Sequence, residues 1–267
     1  MGRITFSFGR NWRDFMRTLN EDRFKEAARS LAGFLKLENL RGLSFLDIGC
    51  GSGLFSYAAF RLAAAEIVSF DADPFSVECC RHLHGKAGNP GNWKIYEGSV
   101  LDADFLSGLG EFDIVYSWGV LHHTGRMWDA VSNSAKLVKK GGYYYIALYR
   151  KTGGAFGSEF WLKIKKLYNF LPASGKRFLE IIYITAYFTV NLIRFKNPAA
   201  KIKNYKSARG MNWRRDVTDW LGGYPYEFAS KKEVLDFMRN NFPSFKLVNT
   251  IVASSALANN WYLFRNA

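Results

Sequence analysis

The chain has few cysteines, histidines and acidic residues for its length. Only three of its 267 residues are cysteines. Cys79 and Cys80 are neighbours and Cys50 stands alone, a spacing that does not suit a disulfide framework. No Cys-x-x-Cys pair or spaced His/Cys cluster occurs, so we predict no metal site. Residues 1–15 contain no long apolar run, so we expect no signal peptide and a cytoplasmic location.

Acidic residues are also in the minority. Against 23 Asp and Glu stand 37 Lys and Arg, which gives a formal net charge of +14. Residues 151–215 alone contain 14 basic and 2 acidic side chains, so nearly all the excess lies in this interval. Concentrated positive charge is typical of a surface that binds phosphate, anionic lipid or an acidic small molecule.

No apolar run reaches the ~20 residues that a membrane-spanning helix requires. The longest, residues 178–193, is interrupted by Glu180. We predict helices over 156–171 and 175–195, followed by a polar link. The second helix either packs on the rest of the protein or on a second subunit, or lies on a membrane surface through residues 176–196. The basic residues at its ends are Lys176, Arg177, Arg194 and Lys196.

A glycine-rich turn follows the first apolar strand, residues 45–48. Gly49, Gly51 and Gly53 permit a tight turn and the close approach of a ligand. A helix predicted over 54–64 begins at this loop and directs its free N–H groups towards it.

Two residues, Asp71 and Leu54, indicate which class of ligand this loop binds. Asp71 ends a second apolar run, at the position where a carboxylate binds both hydroxyls of a ribose. Leu54 stands where the nicotinamide-dinucleotide pattern requires Gly or Ala, so no dinucleotide pyrophosphate is implied.

Together with later segments, this loop resembles the S-adenosylmethionine (SAM) site of class I methyltransferases. The segments are Gly98–Asp102, a fourth strand over 112–117 that continues as Trp118-Gly119-Val120-Leu121-His122-His123, a helix over 126–138 that leads into a turn at Gly141-Gly142, and a fifth strand over 143–148. They stand in the family's order, and the chain is similar to the small-molecule O-methyltransferases of ubiquinone biosynthesis. The resemblance implies SAM as cofactor and S-adenosylhomocysteine (SAH) as product. The cofactor-binding residues it implies are Asp47, Gly49, Cys50, Gly51, Gly53, Asp71, Ala72, Ser99, Val100, Ser117 and Trp118, with Asp102 as the alternative to Ser99 and Val100 for the adenine.

The resemblance also implies a fold and a division of the chain. We expect an α/β, Rossmann-like sheet of seven strands, mostly parallel with the last antiparallel, and a helical insertion. Residues 1–40 would form an N-terminal lid and a helix capped by Asn20, and 41–150 the SAM-binding core. Residues 151–229 would form the basic insertion over the acceptor. Residues 230–267 would supply a closing helix and the last two strands.

The fourth strand bears on the acceptor. Residues 117–120 do not match the Asn/Asp-Pro-Pro-aromatic segment of enzymes that methylate base amines, and no Pro-Cys nucleophile or Asp with Asp-Asn metal set is present. This leaves metal-independent transfer to oxygen or nitrogen. The family position in the acceptor pocket is His123, either as a base or as a structural residue. The residues we expect to contact the acceptor are Trp12, His122, Arg209, Trp213, Arg214, Arg215 and Tyr224.

The sequence therefore predicts O-methylation of a small or lipid-linked acceptor that carries phosphate or sugar. Two alternatives stay open. One is a methyltransferase that modifies RNA, with nucleic acid held by the basic insertion. The other is a membrane-associated scaffold that keeps only the SAM pocket.

Overall fold

A seven-stranded sheet forms the centre of the molecule. The computed structural model describes Met16 and residues 19–203, 213–253 and 258–267. The strands are β1 Ser44–Ile48, β2 Glu66–Asp71, β3 Trp93–Glu97, β4 Phe112–Trp118, β5 Val138–Tyr149, β6 Phe245–Ile251 and β7 Asn259–Asn266. They lie in the order β3-β2-β1-β4-β5-β7-β6, and β7 runs antiparallel to both of its neighbours. The predicted sheet is thereby confirmed.

Helices cover both faces of this sheet. They are α1 Glu21–Leu35, α2 Leu54–Arg61, α3 Pro74–Lys86, α4 Ala103–Ser107, α5 Met127–Ala135, α6 Ser158–Phe170, α7 Ala173–Ile193, α8 Pro198–Lys203, α9 Trp213–Gly222 and α10 Lys231–Asn241. Side chains alternate across a strand, so β1 divides its apolar residues between two cores. Leu46 and Ile48 pack with α5 and α10, whereas Phe45 packs with α1, α2 and α3.

The helix before β1 begins as predicted. Asn20 caps α1, since its Oδ1 accepts a hydrogen bond from Arg23 N at 3.0 Å. Phe24 and Phe34 then pack against α2 and β5. The expected lid, with Trp12, lies outside the described residues.

Two boundaries in the middle of the chain differ from expectation. The helix predicted over 126–138 ends at Ala135, and Gly141 and Gly142 lie inside β5 rather than in a turn. Gly141 adopts a left-handed φ of 80°, and the register of β4 with β5 shifts there. An L residue rarely adopts this conformation, so glycine permits a bulge that the strand then continues past.

The insertion is a helical unit attached at the end of β5. Helices α6, α7 and α9 enclose a small apolar cluster formed by Tyr168, Val217 and Leu221. Residues 213–222, expected as part of the basic insertion over the acceptor, form the helix α9. The chain returns beside its point of departure, where Ala229 bridges to Arg150. In the described part of the chain, no helix is long and apolar enough to cross a membrane.

Candidate active site

The glycine loop lies at the carboxyl end of β1 and is tightly enclosed. Gly49, Gly51 and Gly53 all have positive φ, at 71°, 54° and 78°. A Cβ on Gly49 would lie 2.4 Å from the side chain of Val120, and one on Gly53 would lie 2.9 Å from the Cα of Cys80. The loop therefore requires glycine at both ends for space as well as for conformation.

Asp71, at the end of β2, is fixed against this loop. Its carboxylate accepts hydrogen bonds from Gly51 N and from Asp73 N, each at 2.9 Å. Burial raises its pKa to about 6, and the two backbone donors oppose that rise. The group is thus ionised at neutral pH, and a carboxylate has lone pairs for further donors such as ribose hydroxyls.

A second acid lies beneath the loop at the end of a buried hydrogen-bond chain. Trp93 Nε1 donates to Ser69 Oγ, which donates to Ser56 Oγ, which donates to Asp47 at 2.5 Å. Burial raises the pKa of Asp47 to about 7, and the nearby charge of Asp71 contributes a smaller part of this rise. The sequence analysis missed the three partners, although polar residues at buried strand and helix positions were a usable signal.

The turn after β3 carries the two adenine alternatives. Asp102 caps α4, because its Oδ1 accepts from Phe105 N at 3.1 Å. Ser99 Oγ accepts from Leu101 N, and Val100 is buried with its carbonyl bound to Asn133. The cap uses one oxygen of the Asp102 carboxylate, and Ser99 Oγ is likewise engaged, so both alternatives for the adenine stay open. Ala72 lies on the loop after Asp71 and is partly exposed.

The two cofactor-binding residues predicted at the end of β4 lie in different surroundings. Ser117 is buried and donates to the carbonyl of Ile48, so it ties β4 to β1. Trp118 is 41% exposed and contacts Trp261 edge-on. Cys50 is a free buried thiol, and its pKa is raised by a hydrogen bond with Cys80 and by burial.

The two histidines form a short 3-10 helix, Leu121–His123, directly after β4. Nδ1 of His123 lies 2.7 Å from the carbonyl oxygen of Pro225. A carbonyl can only accept, so Nδ1 carries the proton and Nε2 is the basic nitrogen. Burial lowers the pKa of His123 to about 4, and the charge of Lys165 lowers it as well. His123 is therefore neutral at physiological pH.

His122 has no exposed surface. Its Nδ1 accepts from Tyr149 N at 3.3 Å, which places its proton on Nε2. Among the described residues that buried Nε2 has no hydrogen-bond partner. The expected contact with an acceptor thus requires a ligand atom to reach a fully buried donor.

A group of aromatic rings, here called the aromatic roof, lies over this end of β4 and β5. It consists of Tyr149 at the end of β5 with Trp220 and Tyr226 of the insertion. The ring of Tyr149, the last residue of β5, lies 4.0 Å from His122, 5.1 Å from Tyr226 and 6.1 Å from Trp220 between centroids. Lys165 of α6 is buried within the roof, with its Nζ 4.0 Å from the Trp220 ring centroid and 4.8 Å from that of Tyr226. The sequence analysis did not distinguish Lys165 from the other basic residues of 151–215.

The other predicted acceptor residues lie at varied places. Trp213 packs against Tyr187 and Phe188 of α7, about 10 Å along α9 from Trp220. Arg214 is exposed and Tyr224 is partly exposed. Arg209 and the side chain of Arg215 lie outside the described part of the structure. In the described ranges no group of three His, Cys, Asp or Glu side chains could hold a metal ion.

Comparison with known proteins bears on this geometry. Residues 46–146 match the model of a family described as a methyltransferase domain. This segment is similar in sequence to methyltransferase domains. The match extends from the glycine-loop strand through β5 and so includes both acids and both histidines.

The curated relatives of this segment are named as O-methyltransferases. The ubiquinone biosynthesis O-methyltransferase of Pelagibacter ubique (strain HTCC1062) is 30% identical over 129 residues, 46% of this chain and 51% of that protein. The enzyme of the same name from Mesorhizobium japonicum is 33% identical over 142 residues, 53% of this chain and 54% of that protein. The matched region thus spans about half the length of these relatives.

Solved structures agree in fold. Magnesium protoporphyrin IX methyltransferase from Synechocystis PCC 6803, crystallised with SAH, has a TM-score of 0.54 at 14% identity over 91% of this chain and 83% of that one. An O-methyltransferase family protein from Burkholderia thailandensis has a TM-score of 0.55 at 13% identity. The likeness covers 91% of this chain and 57% of that one. The expected Rossmann-like fold of the class I methyltransferases is confirmed.

Proposed function

We propose that the chain transfers the methyl group of SAM to an oxygen of a small acceptor. The site fits the donor on its own geometry. Two positive-φ glycines leave no room for side chains at the loop, and two carboxylates, Asp47 and Asp71, make this end of the sheet negative. SAM carries positive charge and a ribose, and it supplies an electrophilic methyl group when bound.

The observation that carries the proposal is the protonation state of His123. Its Nδ1–H is held by the Pro225 carbonyl, so Nε2 is a neutral proton acceptor at the carboxyl end of β4. A hydroxyl bound there can give its proton to Nε2 as its oxygen bonds to the methyl carbon, and the old bond from carbon to sulfur breaks to release SAH. The names of the curated relatives support oxygen as the acceptor atom.

Two variants separate donor binding from chemistry. Asp71→Ala should lose SAM affinity in calorimetry, because each charge-assisted hydrogen bond contributes about 1.5–3 kcal/mol. His123→Ala should bind SAM normally and lose about 10²–10⁴-fold in turnover. His82→Ala, on the exposed side of α3, is the matched control. Unchanged turnover in His123→Ala would contradict the assigned role.

A lipid-linked acceptor is supported by the outer face of α7. Phe178, Ile182, Leu192 and Ile193 are all between 47% and 71% exposed, and the one acid of this helix, Glu180, turns inward to Tyr168. Apolar patches flanked by cations are typical of proteins that lie on anionic membranes.

Co-sedimentation with vesicles of anionic lipid tests this surface. We expect binding that falls with salt and that Ile182→Ser or Leu192→Ser weakens. Zwitterionic vesicles and the buried-face variant Leu179→Ala serve as controls. Equal binding of all variants would leave the lipid-linked acceptor without support.

RNA modification and a SAM-binding scaffold are the competing proposals. Lys163 and Lys166 of α6 are exposed, whereas Lys165 is buried and so contributes nothing to a phosphate-binding face. An RNA-binding chain should lose affinity with salt at a logarithmic slope near −0.7 per phosphate contact. Turnover on a small hydroxyl compound without RNA would refute both alternatives.

A further inference from the structure

Lys165 stands out as a buried cation without a buried anion. It is 1% exposed, and its Nζ donates to the backbone carbonyl of Trp220. No described carboxylate forms an ion pair with it, and Asp219 acts on it only through its field. Removing an ion from water costs several kcal/mol, so a buried charge is normally paired.

We propose that Lys165 binds an anionic oxygen group of a planar acceptor. This inference rests on the proposed function and narrows it, since it names the chemistry by which the acceptor is recognised. The cation is Lys165 of α6, rather than the arginines of the segment before and within α9.

The surroundings of Lys165 supply the other features that such a ligand needs. The rings of Trp220 and Tyr226 lie 4.0 and 4.8 Å from its Nζ, and the ring of Tyr149 contacts both of them, an arrangement that suits a flat molecule. Two further donors are buried without partners among the described residues, His122 Nε2 and Trp220 Nε1. A ligand that brings oxygen atoms would satisfy donors that the protein leaves unsatisfied.

The position also fits methyl transfer. Lys165 is close enough to His122 and His123 for its charge to lower the pKa of both. Lys165 and His123 therefore lie close to each other. An acceptor that binds Lys165 through its anionic group can place a hydroxyl at His123. In the structure, Lys165 Nζ donates to the Trp220 carbonyl, and an ammonium group has two further N–H donors with which to bind an anionic oxygen.

Titration of Lys165 gives a signature for this contact. Burial lowers its pKa to about 7, with Asp219 opposing the shift, and the other titratable groups around it are His122, His123, Tyr149 and Tyr226. A bound anion favours the charged amine, so anion affinity should fall as pH rises above 7.

Calorimetry with 2-naphthoate and its neutral amide, 2-naphthamide, tests the proposal with and without SAH. At pH 6.5 we expect the wild type to bind the acid at least tenfold more tightly than the amide. Lys165→Met should lose this preference, whereas Lys163→Met and Lys166→Met, exposed neighbours on α6, should keep it. SAH affinity should be the same in all four proteins.

A wild-type measurement covers the case in which Lys165→Met does not fold. The affinity of the wild type for 2-naphthoate should fall about tenfold between pH 6 and pH 9, and that for the amide should not change. Equal affinity for acid and amide, or a preference that survives in Lys165→Met, would overturn the inference. Failure to bind SAH would instead refute the proposed function. The two failures can be told apart because naphthoate binding is also measured in the absence of SAH.

Discussion

Replacing Asp47 by Asn should stabilise the protein at pH 8 and leave it nearly unchanged at acid pH. The pKa of Asp47 is about 7, against 3.8 for an ordinary aspartate. A rise of about 3 units at 1.36 kcal/mol per unit corresponds to about 4 kcal/mol between the protonation states. Because the folded pKa is raised, the stabilising contribution is complete below pH 4 and is lost as pH rises through 7.

Urea unfolding of both proteins at pH 5 and pH 8 checks this reasoning. The wild type should lose about 2.5 kcal/mol more unfolding free energy than Asp47→Asn over that interval, since Asn can still accept from Ser56 but carries no charge. Asp71 titrates in both proteins, so their difference reports Asp47 together with its weaker coupling to Asp71. Parallel pH profiles would refute the assignment of a buried charge beneath the loop. The stabilised variant should also bind SAM more weakly, as expected where a destabilising group serves a ligand.

Other predictions follow from the same structure. Gly49→Ala should lower the unfolding free energy by roughly 2–4 kcal/mol through the clash with Val120 and the positive φ, whereas Gly42→Ala, with positive φ but open space, should lose only about 1. Ser230→Ala should cost about 1 kcal/mol in thermal or urea unfolding, because it removes the capping box of α10. With SAM and acceptor saturating, turnover should stay level from pH 8 down to pH 5, since the pKa of His123 is about 4. A loss of turnover centred near pH 6.5 would contradict that value.

The donor half of the site was predictable because its signals are local in sequence. Gly49, Gly51 and Gly53 lie within one turn, and Asp71 is the end of the next strand. Apolar runs and glycines specify such strand–turn–helix units with little help from the rest of the chain. The cap of α1 by Asn20 was predictable for the same reason.

The acceptor half depends on contacts between distant residues. His123 acquires its tautomer from Pro225, 102 residues later, and no spacing rule connects the two. Lys165 appeared in the sequence as one of many cations, and only the packing of α6 against α9 shows that it is buried. The strand boundary at Gly141 was mistaken because a Gly-Gly pair is typical of turns and tolerated in bulges alike.

The adjoining ends of the insertion have an evolutionary consequence. The chain departs at Arg150 and returns at Ala229, where Lys151 N and Ala229 N bond back to Ala229 O and Tyr149 O. A segment with neighbouring ends can be exchanged as a cassette without altering the order or register of the strands. Exchange would replace Pro225, Lys165, Trp220 and Tyr226 together, while the glycine loop after β1 stays the same. Lineages could thus acquire new acceptors by replacing one contiguous block of the gene.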